Sequence, residues 1–166
     1  MSAFDDLLTA NEKYADTFDL GGFDGIAHAG VALITCMDSR LDPLAMVGLS
    51  PGDAKILRNP GGRVTDQVLV ALVLGAAALN VDRVMIIEHT RCAMAASDYE
   101  GLIDKISRAN GSNAAWLSFG VINDQEQTLK GDALRVRAHP LIPDSVAVGG
   151  FLYDVDTGRL RLVVEE

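Results

Sequence analysis

Three short apolar runs in this chain each stop on a residue able to do chemistry, and that arrangement constrains the fold more than any other feature. Val31-Ala32-Leu33-Ile34-Thr35 shows no alternation of apolar with charged positions, and Cys36 closes it. A strand that reads this way is covered on both faces, as strands of parallel sheets are. Ala54 to Leu57 delivers Arg58 and Asn59 into the loop Pro60-Gly61-Gly62, and Arg83 to Glu88, rich in Val and Ile, delivers His89. Between the second and third runs, Thr65 is placed to cap a helix reaching about Leu79. Strand and helix alternate, so the pattern predicts βαβ units in an α/β fold with a mostly parallel central sheet flanked by helices.

Further along, helices are expected near Asp98 to Ala109 and from Val121 to Arg137, with Gly120 and Gly131 blurring the second. Val146 to Tyr153, the turn Asp156-Thr157-Gly158 and Leu160 to Val164 read as a hairpin, the antiparallel edge of the sheet. At the other end Phe4, Leu7, Leu8, Tyr14 and Phe18 fall near helical spacing between Ala3 and Phe18, and Gly21, Gly22 and Gly25 follow. With 166 residues, 49% of them apolar, and no repeat, linker or low-complexity tract, the expectation is one domain over residues 1–166.

The formal charge of −9 and the lack of any basic block argue against a nucleic-acid partner. The longest apolar stretch, around Val68 to Leu79, falls short of the roughly 20 residues a membrane helix needs, so no membrane association is expected. The start, MSAFDDLLTANEKYAD, carries acids where a secretory leader carries bases, which points to the cytoplasm. In that compartment the two cysteines, Cys36 and Cys92, are not expected to form a disulfide.

Ligands of open α/β sheets bind beyond the carboxyl ends of the strands, and here those ends supply Cys36, Asp38, Arg40, Arg58, Asn59, His89 and Cys92. Two thiolates and an imidazole suit Zn²⁺, and three protein ligands without an obvious fourth describe a catalytic centre with an open position. Plainer readings exist for each part. Both cysteines could be small buried thiols, Asp38 and Arg40 a surface ion pair, and Arg58-Asn59-Pro60-Gly61-Gly62 a turn. A substrate-side role for Arg58, Asn59, Gly61 and Gly62 is expected beside that of the turn.

Read together, Cys36-Met37-Asp38-Ser39-Arg40, Arg58-Asn59-Pro60-Gly61-Gly62 and His89-Thr90-Arg91-Cys92 resemble the β-class carbonic anhydrases, whose hallmarks are Cys-x-Asp-x-Arg followed by His-x-x-Cys. GDAKILRNPGG, RVRAHPLIP and GFLYDVDTGRL are similar to family segments too, in order, and the likeness is greatest to the short single-domain prokaryotic branch. The resemblance implies one Zn²⁺ per chain held by Cys36, His89 and Cys92, and a catalytic dyad of Asp38 and Arg40. It implies hydration of CO₂ to bicarbonate and a proton by a zinc-held hydroxide. It also implies a homodimer or larger assembly, with the N-terminal helix packed on a partner subunit. Related β-class proteins hydrolyse carbonyl sulfide or carbon disulfide, and a regulatory protein with a structural zinc and Asp38 as its fixed fourth ligand is a third reading. One departure stands out: Arg91 and Ala93 occupy positions where family members often carry Asp and Gly.

Overall fold

The computed structural model describes residues 2–96 and 98–166. Strands β1 (Val31–Cys36), β2 (Ala54–Asn59), β3 (Arg83–His89), β4 (Ala147–Tyr153) and β5 (Leu160–Glu165) form a single sheet in the order β2-β1-β3-β4-β5. The first four run parallel and β5 returns antiparallel against β4, as the hairpin reading expects. Every residue of β1 is buried, because β1 lies between β2 and β3 and both its faces are covered. Its register sets Cys36 beside Asn59 and Thr35 beside Ile87, so Cys36, Asn59 and His89 all emerge at one end of the sheet.

Among the described residues the α-helices are α1 (Asp5–Ala15), α2 (Asp66–Ala78), α3 (Ala93–Ala96), α4 (Tyr99–Asn110) and α5 (Gln125–Arg137). The Thr65 hydroxyl accepts the Val68 N–H and starts α2, Asp98 caps α4 through Gly101, and Asp124 caps α5 through Gln127. That last cap sets the start of α5 four residues later than the expected Val121: Asp124 stays extended and its side chain accepts the Gln127 N–H. Likewise α4 starts at Tyr99, with Asp98 as cap rather than first turn.

One face of the sheet, bearing Ala32, Ile34, Val84, Ile86 and Val148, packs on Val68, Leu69 and Leu72 of α2 and on Leu129, Ala133 and Val136 of α5. Burying an aliphatic side chain of this size contributes about 1.5–3 kcal/mol, so this layer carries much of the stability. On the opposite face Val31, Leu33 and Ile87 meet Met46, Val47, Leu49 and Phe151. Helix α1 buries no residue at all; Phe4, Leu7, Leu8 and Tyr14 are each about 60% exposed. The helix expected over Ala3–Phe18 is thus present but shorter, and its apolar face stands clear of its own domain.

Candidate metal centre

Cys36 closes β1, His89 closes β3, and Cys92 opens the short helix α3, so three separate elements bring one donor each to the same point. The three donor atoms lie within 4.8 Å of one another, and all three residues are buried. The two sulfurs are 4.0 Å apart, double the roughly 2 Å of a disulfide and close to the roughly 3.8 Å that two thiolates span on a tetrahedral Zn²⁺ with bonds of about 2.3 Å. His89 Nδ1 lies 2.9 Å from the Thr90 carbonyl, an oxygen that can only accept, so Nδ1 carries the proton and Nε2 the free lone pair. That Nε2 is fully buried and has no hydrogen-bond partner among the described residues. An unsatisfied buried polar atom costs about 1–3 kcal/mol, and a metal ion would remove that cost.

The sulfurs are already electronically prepared. The Cys36 thiol is held well below its ordinary pKa, chiefly by the hydrogen bond with Cys92, aided by the Gly61 N–H, which donates to Sγ at 3.4 Å. The same sharing raises Cys92, which keeps the proton until a cation displaces it.

Beside the donors, Asp38 places Oδ2 3.8 Å from His89 Nε2. Arg40 grips the carboxylate with two side-chain nitrogens and adds its own backbone N–H at 2.9 Å. These hydrogen bonds hold Asp38 far below the usual carboxylate range, so it is ionised at any physiological pH.

The loop after β2 forms the opposite wall. Arg58 donates to the Cys36 carbonyl at 3.0 Å and to the Asp38 carbonyl at 2.6 Å, and Asn59 exchanges two hydrogen bonds with the backbone of Arg63. Both side chains therefore brace the wall. Gly61 and Gly62 have φ of +81° and +71°, and a Cβ on Gly62 would meet the Ile87 carbonyl oxygen at 2.8 Å and the Cys36 nitrogen at 3.0 Å. Only glycine fits there, and its absent side chain lets Gly61 reach the sulfur.

Three contributors escaped the sequence reading. Asp132, 4% exposed, accepts from Arg63 at 2.8 and 3.2 Å and from the Val64 N–H at 3.0 Å, tying α5 to the glycine loop. Its signal was present: Leu129, Asp132, Ala133 and Val136 share one helix face, and a carboxylate on an apolar stripe needs a buried partner. Gln125 donates to the His89 carbonyl at 2.9 Å. Glu88, wholly buried behind His89, has neither carboxylate oxygen hydrogen-bonded among the described residues, and burial pushes its pKa up to about 7.

A family model for carbonic anhydrase matches residues 31–134. β-Carbonic anhydrase 1 of Mycobacterium tuberculosis is 30% identical over 166 residues, covering 98% of this chain and 99% of that one. A carbonic anhydrase from Streptococcus mutans superposes with a TM-score of 0.91 at 36% identity, over 99% of both chains. A carbon disulfide hydrolase from Acidianus is 31% identical, with 78% of this chain and 74% of that protein matched.

Proposed function

We propose, from the premise that this chain belongs to the β-carbonic anhydrase family, that it is a zinc enzyme interconverting CO₂ and bicarbonate in the cytoplasm. The observation that carries this reading is the buried, unpartnered His89 Nε2 facing two sulfurs, with an ionised carboxylate 3.8 Å away. Cys36, His89 and Cys92 would hold one Zn²⁺ per chain. When bound, Zn²⁺ supplies Lewis acidity and makes water nucleophilic near neutral pH.

The chain's own groups do the rest. Asp38 accepts a hydrogen bond from the attacking water and turns its lone pair toward the carbon of CO₂, while Arg40 keeps Asp38 ionised and in place. Because both Asp38 oxygens are engaged by Arg40, the carboxylate is held back from service as a fixed fourth ligand, which favours an enzyme over a structural-zinc protein. Arg58, Asn59, Gly61 and Gly62 shape the substrate-side wall; Gly61 also tempers the charge on Cys36. The exposed apolar face of α1 supports a homodimer or larger assembly, in which that helix covers a second copy.

Stopped-flow hydration of CO₂ on samples of measured zinc content tests the assignment; a zinc-loaded protein with no activity from neutral to alkaline pH refutes it. The likeness to carbon disulfide hydrolases favours one second reading, in which the same centre attacks another linear, electrophilic carbon. Sulfide release from carbon disulfide, measured on the same sample, separates the two.

A further inference from the structure

Beside the centre stand two ion pairs, Asp38 with Arg40 and Asp156 with Arg91. One terminal nitrogen of Arg40 serves both Asp38 Oδ2, at 2.8 Å, and the backbone carbonyl of Arg91, at 3.2 Å. Asp156, in the turn between β4 and β5, lies within Coulombic reach of Arg40 and adds to the elevation of its pKa that Asp38 dominates. Arg40 thus feels two carboxylates and is hydrogen-bonded to one of them, Asp38. The Arg91 side chain is ion-paired to Asp156, with both partners about 60% exposed. So open a pair adds little to stability, and its effect falls on its neighbours.

The turn does not depend on that pair for its position. Thr90 donates its N–H to the Tyr153 carbonyl at 2.9 Å and receives the Val155 N–H on its hydroxyl at 3.1 Å. Removing the Arg91 guanidinium therefore changes charge while the scaffold stays docked.

We propose that Arg91 is a positioning residue: by neutralising Asp156 it stops that carboxylate from drawing Arg40 away from Asp38, and so keeps Asp38 off the fourth position of the metal. This deepens the reading of the centre as a zinc site and rests on it.

The test is azide binding to the cobalt(II)-substituted protein, followed by its visible spectrum, because azide enters only a centre whose fourth position exchanges. Arg91→Ala should weaken azide by at least about tenfold, the loss expected when only about one centre in ten remains open. Arg91→Gln, which keeps the stem and removes the charge, should do the same. Asp156→Asn should bind azide as wild type does, and Arg91→Ala/Asp156→Asn should recover wild-type affinity. Unchanged binding in the single Arg91 variants overturns the proposal. So does a double variant as weak as the single, since a merely structural staple would not be rescued by removing its other half. A crystal structure of Arg91→Ala reads the same exchange with or without metal: Arg40 on Asp156 supports the proposal, and Arg40 still on Asp38 overturns it. Failure of the wild-type protein to bind metal would instead count against the proposed function.

Discussion

Arg40 holds Asp38 by both carboxylate oxygens, with Nε 2.9 Å from Oδ1 and a terminal nitrogen 2.8 Å from Oδ2. The pair acts as one unit, so the two groups should fail together. Asp38→Asn is expected to retain zinc and to lose at least about tenfold in kcat/KM for CO₂, or roughly 1.4 kcal/mol of transition-state stabilisation. Arg40→Ala should lose activity in the same direction and regain it only at higher pH, where hydroxide outcompetes the freed carboxylate. The double variant should lose much less than the sum of the single losses. Wild-type rates in zinc-loaded Asp38→Asn at every pH would show that the dyad only shapes the loop.

Replacing Cys36, His89 or Cys92 by Ala should abolish stoichiometric zinc, because each leaves the other two donors facing a gap. Elemental analysis after dialysis reads this directly. Zinc retained at about one per chain in all three variants would contradict the ligand assignment.

Asp132 joins α5 to the glycine loop through Arg63, a pair in which the carboxylate is buried and the guanidinium largely so. Breaking such a pair from one side leaves an uncompensated charge inside the protein. Asp132→Ala should therefore destabilise the fold by about 3–5 kcal/mol, and it should loosen zinc as well, since the loop it anchors carries the N–H that meets Cys36. Denaturant unfolding and a zinc competition assay measure the two effects; loss of neither would leave the pair without a role.

Glu88 predicts a pH dependence whose sign follows from burial. Its folded-state pKa lies near 7, against an ordinary 4.5, so the native state binds the proton more tightly than the unfolded chain does. Any stability this group allows is complete below about pH 4.5 and is lost as pH rises through 7, up to roughly 3 kcal/mol. Glu88→Gln, neutral at all pH values, should thus stabilise the protein more at pH 8 than at pH 5. Equal gains at both pH values, from chemical denaturation of the zinc-loaded protein, would show that Glu88 is not ionising in place.

What could be read from the sequence followed how directly each residue's role depends on its neighbours in the chain. The strands ending in Cys36 and His89 were legible because buried parallel strands leave apolar runs, the edge strand ending in Asn59 because the Pro60-Gly61-Gly62 loop follows it, and the site because strand ends converge. The helix starts differ by one to four residues from the sequence pattern where Asp98 and Asp124 act as caps, a matter of which side chain turns back onto a free N–H. The Arg63–Asp132 pair spans 69 residues, and nothing in local spacing joins its halves. The tautomer of His89 was equally invisible, since it is fixed by a backbone carbonyl whose direction depends on the turn at Thr90.

The two cysteines that face each other across the centre are 56 residues apart, and the chain between them builds β2, α2 and β3. Their meeting therefore waits on a long crossover, the kind of non-local contact that proteins make late and slowly. A metal ion has no complete set of donors to grasp in the early collapsed chain, and so it cannot guide assembly; it can only retard departure from the finished state. In kinetic terms zinc should shift the unfolding arm of a chevron to slower rates while leaving the refolding arm where it was, the mark of a contact absent from the transition state. The centre is then a latch that closes on a sheet already built.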